Sequence, residues 1–186
     1  MTPRAAIGLA AATAICLAAC GGTVRHTPRA TGVLPPHAIA GLPAVTRALS
    51  ATDVQKDSSV HDLTARLRRW GYRGGWQRTF QGESRRLTLV VSRSLTFAAS
   101  AGAAAFLAFF GRHIDSFYPF AISKPLAIPG QPGWLIKSPL CACHMAQPLY
   151  AGVTRLGRQV TWLEINGPRA SGRALRTLLS ELGTTR

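Results

Sequence analysis

Acidic residues are scarce: 7 Asp and Glu stand against 22 Lys and Arg in 186 residues, a formal charge of +15 with neutral histidines. Lysine is scarcer still, since Lys56, Lys124 and Lys137 are the only three. A cation set made almost wholly of arginine, in a chain rich in Ala and Gly, follows a GC-rich coding bias as much as any ligand. The cations are scattered, with short clusters only at Arg66, Arg68 and Arg69 and at Arg85 and Arg86. A nucleic-acid footprint concentrates on one stripe or helix, so no nucleic-acid partner is expected. Attraction to anionic lipid headgroups or acidic polymers, weakened by salt, suits this charge better. With 16% charged and 47% hydrophobic residues, the chain can bury a core, which excludes a wholly disordered polymer.

Motifs of hydrolysis and nucleotide chemistry are also missing. The chain has no Gly-x-Ser-x-Gly elbow, no His-Glu-x-x-His helix and no Gly-x-x-x-x-Gly-Lys phosphate cradle. Glu83, Asp115 and Glu164 are the acids placed in the sheet region or its connections, and none has a second acid at close spacing. Isolated acids of this kind are solvated or bound by an arginine. No catalytic residue, and hence no enzyme, is expected. For His61, His113 and His144 a structural role is the default.

The first segment carries the clearest signal. Met1 to Arg4 make a short basic start, and Ala5 to Ala19 hold no charge. This layout is that of a secretory signal, and the run is shorter than the roughly 20 residues a permanent bilayer helix needs. Its end, Leu17-Ala18-Ala19-Cys20, resembles the lipobox of bacterial lipoproteins. That resemblance implies cleavage after residue 19 and acylation of Cys20, with the covalent lipid as the only group attached and no other cofactor. Buried acyl carbons are worth about 0.8 kcal/mol each, so two or three chains hold a protein to a membrane without a spanning helix. The expected address is the extracytoplasmic face of the cell membrane.

From residue 20 to 43 the sequence is rich in Gly, Pro, Thr and Ala and lacks an apolar period, which predicts a flexible tether. A single domain is expected over 44–186. Ser59 and Asp62 have the spacing of a capping box, with Val60, Leu63, Leu67 and Trp70 on one helical face. Trp76, Arg78 and Phe80, then Leu87, Leu89 and Val91, alternate about Gln81-Gly82 as a β-hairpin. The uncharged run Ser94 to Gly111 reads as a strand end, Leu95-Thr96-Phe97, followed by a helix of about 14 residues beginning near Ser100. Extended structure is expected over Phe117 to Ile122 and Trp134 to Ile136. Leu149 to Thr154 and Gln159 to Ile165 flank a tight turn at Arg155 to Arg158. A final helix opens at Ser171 and presents Leu175, Leu178, Leu179 and Leu182.

Short turns between successive strands make an antiparallel sheet, and helices with apolar stripes must cover it. The expectation is an α+β fold, a mainly antiparallel sheet flanked by two or three helices as an α/β/α sandwich. This layout over Ala44 to Leu182 looks similar to the secreted PsbP- and Mog1-like lipoproteins of actinobacteria. The resemblance implies a non-catalytic binding or accessory module and assigns no site residue.

Leu140-Cys141-Ala142-Cys143-His144-Met145 gathers soft and borderline metal ligands. After export, with residue 16 removed and Cys20 blocked, Cys141 and Cys143 would be the free thiols in an oxidising compartment. Three readings stay open: a disulfide between them, strained at this spacing; two small buried apolar residues; or a metal or redox site. The single residue between the cysteines disfavours c-type haem attachment and structural zinc, leaving monovalent copper on Cys141, Cys143 and Met145 as the metal candidate. Trp70, Tyr72, Trp76, Trp134, Tyr150 and Trp162 could line an apolar groove. The functional expectation is a lipid-anchored envelope protein whose domain binds a small apolar ligand, an envelope polymer or an envelope protein. The alternative is an envelope thiol or copper protein.

Overall fold

The structure, a computed structural model, describes residues 30–83, 85–139 and 147–184. Cys20 and the leader, and Cys141, Cys143, His144 and Met145, lie outside these residues. Among the described residues seven strands form one open, wholly antiparallel sheet, in the order β1-β2-β3-β7-β6-β5-β4. The strands are β1 (Ala44–Leu49), β2 (Tyr72–Gln81), β3 (Leu89–Phe97), β4 (Ile122–Pro125), β5 (Gly133–Ser138), β6 (Leu149–Leu156) and β7 (Gln159–Asn166). Two meanders, β1 to β3 and β4 to β7, join along the β3–β7 pair.

Helices lie on both faces, as expected of a sandwich, but the described residues form five rather than two or three. Between β1 and β2 come α1 (Ala51–Lys56) and α2 (Leu63–Arg69), and between β3 and β4 come α3 (Ser100–Arg112) and α4 (Ile114–Phe117). These four cover one face through Val54, Leu63, Leu67, Phe106, Phe110 and Ile114. The closing helix α5 (Gly172–Thr184) covers the other through Leu175, Leu179 and Leu182. Alternation divides each strand between the faces: in β7, Val160 and Trp162 point to the first, Leu163 and Ile165 to the second. At Gly111 a Cβ would stand 2.5 Å from Trp134 Nε1, so the missing side chain lets this indole lie against α3. No helix of the described residues is long and apolar enough to cross a membrane.

Three expectations need correction. The tether prediction fails for residues 31–42, where Val33, Leu34 and Leu42 are buried. Leu34 donates its N–H to Ser92 Oγ (3.0 Å), Ser94 Oγ donates to Thr31 O (2.8 Å), and Arg78 Nη1 donates to Leu34 O. Composition misled because three apolar residues among prolines suffice once the sheet offers partners. The capping box lies one helix earlier than the spacing at Ser59 suggested. Ser50 Oγ accepts from Asp53 N, Asp53 Oδ2 accepts from Ser50 N, and Asp62 makes no side-chain cap at the start of α2. Phe117 to Ile122 is not a strand: α4 ends at Phe117, and Phe120 adopts φ 59°, a left-handed backbone that interrupts an extended run.

Candidate functional site

In β3, Val91, Arg93, Leu95 and Phe97 share the strand's two-residue period, and Leu95 and Phe97 belong to the face under α1 to α4. Arg93 is thereby carried into that core, where it is buried. Its cross-strand neighbours are Gln77 on β2 and Trp162 on β7. Gln77 Oε1 accepts from Arg93 Nε at 3.0 Å, and the guanidinium lies over the Trp162 ring, 4.7 Å from its centroid. Asp57, the C-cap of α1, approaches Nη2 to 3.4 Å, and Glu164 lies 3.0 Å from Nη1. The Nη1 contact is an ion pair without hydrogen-bond alignment.

Tyr118, immediately after α4, completes the cluster: its hydroxyl donates to Glu164 Oε1 and accepts from Trp162 Nε1 at 2.6 Å. Burial, reinforced by the Glu164 carboxylate, holds the Tyr118 hydroxyl well above the ordinary phenol value. Burial also raises the Asp57 carboxyl, outweighing the opposing pull of Arg93. For Arg93 burial acts against the charge, but Glu164 and Asp57 together outweigh it and raise the guanidinium. The arrangement keeps a proton on Tyr118 and a charge on Arg93, and it ties α1, α4, β2, β3 and β7 into one polar knot.

Of the acids read from the sequence, Glu164 is bound by an arginine, while Glu83 and Asp115 are exposed. His113 Nδ1 lies 2.9 Å from Phe109 O and its ring stacks on Phe109 at 4.1 Å, while His61 is exposed. Among the described residues no group of three His, Cys, Asp or Glu could hold a metal. The aromatics are divided between faces, Trp70, Tyr72, Trp134 and Trp162 against the α1–α4 core and Tyr150 against the α5 core. Sequence reasoning missed Arg93 and Tyr118. Arg93 had a signal, an arginine in phase with Leu95 and Phe97. Tyr118 had none once its segment was read as a strand.

No family model matches the chain, and no curated protein matches it. Among solved structures, the extracellular domain of PknH from Mycobacterium tuberculosis is similar to 75% of this chain over 82% of its own, at 9% identity and a TM-score of 0.46.

Proposed function

We propose that this chain is an exported bacterial lipoprotein, acylated at Cys20 and held on the outer face of the cell membrane, whose α+β domain binds a ligand or partner without transforming it. The observation that carries the reading is Leu17-Ala18-Ala19-Cys20, placed directly behind a basic start and an uncharged run. Only a thiol among side chains offers the nucleophile that lipid transfer requires. The non-catalytic half is supported by the polar knot, where Asp57, Glu164 and the Tyr118 hydroxyl are engaged with Arg93, Trp162 and one another. Groups so occupied hold a fold rather than accept protons from a substrate. The occupant belongs to one of three classes: a small apolar molecule, an envelope polymer or an envelope protein.

Mass spectrometry of the protein from membranes of the producing cell tests the anchor. The N-terminal peptide is expected to begin at Cys20 and to carry acyl chains, and Cys20→Ser is expected to move the protein out of the detergent-soluble membrane fraction. A chain that retains Met1 and remains in the cytosol overturns the reading.

A further inference from the structure

The described chain starts at the end of the sheet where β6 turns into β7. Thr31 O accepts from Ser94 Oγ, and Gly32 lies against the Gln159 side chain, the first residue of β7. From there residues 31–42 run along β3 toward the opposite end, where Leu42 packs with Phe80. Nine residues lie between position 20 and position 30, and the ten steps joining them reach about 33–36 Å when fully extended. The β6–β7 end is thus the one nearest any attachment at Cys20.

That end collects arginines from three elements. Arg68 and Arg69 close α2, Arg73 opens β2, and Arg155 and Arg158 flank the β6–β7 turn. The elements are joined there by backbone hydrogen bonds, Gly71 N to Arg68 O, Ala98 N to Gly71 O and Phe97 N to Arg158 O. None of these five arginines is ion-paired with a described carboxylate, and Arg68, Arg69, Arg73 and Arg158 are exposed. Between Arg155 and Arg158, at the tip, Leu156 is 41% exposed. A leucine projecting between cations, at the end where the chain enters, matches an interface with anionic headgroups outside and apolar matter beneath.

We propose that this end of the sheet, with the Arg155–Arg158 turn at its tip, docks on the anionic bilayer to which Cys20 is attached. The proposal rests on the lipoprotein reading for its orientation and adds a second contact to the lipid. The domain then lies against the membrane with a fixed end down, and the Arg85–Arg86 loop, whose Arg86 O accepts from Arg169 N, faces away.

The test is hydrogen exchange of the full chain with vesicles of phosphatidylcholine alone or mixed with phosphatidylglycerol. Amides of 155–159 and 68–73 are expected to be slowed on the anionic vesicles only, and the slowing is expected to vanish in high salt. Each arginine at an anionic surface is worth about fivefold in affinity. Arg155→Gln with Arg158→Gln should therefore cost roughly twenty-five-fold in the protection of the turn, while the α5 amides report that the fold is kept. Arg169→Gln with Arg173→Gln, at the other end, should leave the footprint unchanged. Equal footprints on both vesicle types, a footprint at 85–87 and 167–173, or protection by a soluble anionic polymer but not by vesicles would each overturn the docking. The mass of the Cys20 peptide is read separately, so failure of the docking and failure of the anchor are told apart.

Discussion

Under α5 the sheet presents Phe80, Val90, Leu135, Leu163 and Ile165 to Leu175, Leu179 and Leu182. Under α1 to α4 the same strands present Arg93, Trp162 and Glu164 beside Leu95, Phe97, Ile136 and Val153. The first face is held by apolar burial, which is non-directional and tolerates many residues. The second encloses a charge, which is tolerable only where partners stand at fixed places. Both faces close over one sheet, so the comparison separates what periodicity specifies from what individual residues specify.

The largest effect is expected from removing the buried cation. Arg93→Ala leaves Asp57 and Glu164 without their partner and should cost about 3–5 kcal/mol. Leu179→Ala, which empties the space over Gly152, should cost about 2–5 kcal/mol. Urea unfolding measures both. The faces differ in what restores them: replacing Arg93, Asp57 and Glu164 together by Met, Leu and Leu should recover part of the loss, because no charge remains unpaired even though the Tyr118 hydroxyl loses its acceptor. If the triple substitution is no better than Arg93→Ala, the knot is not the origin of the effect.

A smaller loss is expected where residues 31–34 lie on the α5 side of the sheet. Ser92→Ala removes the acceptor for the buried Leu34 N–H, and an unsatisfied buried donor costs about 1–3 kcal/mol. Exchange at the Leu34 amide should accelerate before that of Leu163 or Ile165. Uniform acceleration would mean that this segment and the sheet open as one unit.

Much of this architecture was legible in the sequence because it follows apolar periods. The β6–β7 hairpin, α3 and α5 are each written in their spacing, and the α5 stripe from Leu175 to Leu182 packs as its period implies. The Arg93 cluster was only half legible. Phase places Arg93 inward, but its partners come from β2, β7, the end of α1 and the residue after α4, and no local pattern links Gln77, Asp57, Glu164 and Tyr118. Residues 31–42 were illegible for a related reason: their order comes from hydrogen bonds to Ser92, Ser94 and Arg78, partners set by tertiary structure.

The smallest effect concerns pH and is read at the two ends of α1. The Ser50 hydroxyl and backbone hold the Asp53 carboxyl at about 2, below its ordinary 3.8. Its contribution is complete above the ordinary value and is lost as pH falls through 3.8 toward 2. Asp57, four residues on, has the opposite sign: burial raises its carboxyl, so the folded state binds the proton more tightly than the unfolded chain. Its contribution therefore declines as pH rises from 3.8 through the raised value. Thus Asp53→Asn should flatten the acid limb of a stability profile, and Asp57→Asn should flatten the slope above 3.8. Carboxyl chemical shifts recorded across the titration check both directions. An Asp57 carboxyl that titrates below 3.8 would mean that Arg93 outweighs burial, and the contrast between the two ends of α1 would be lost.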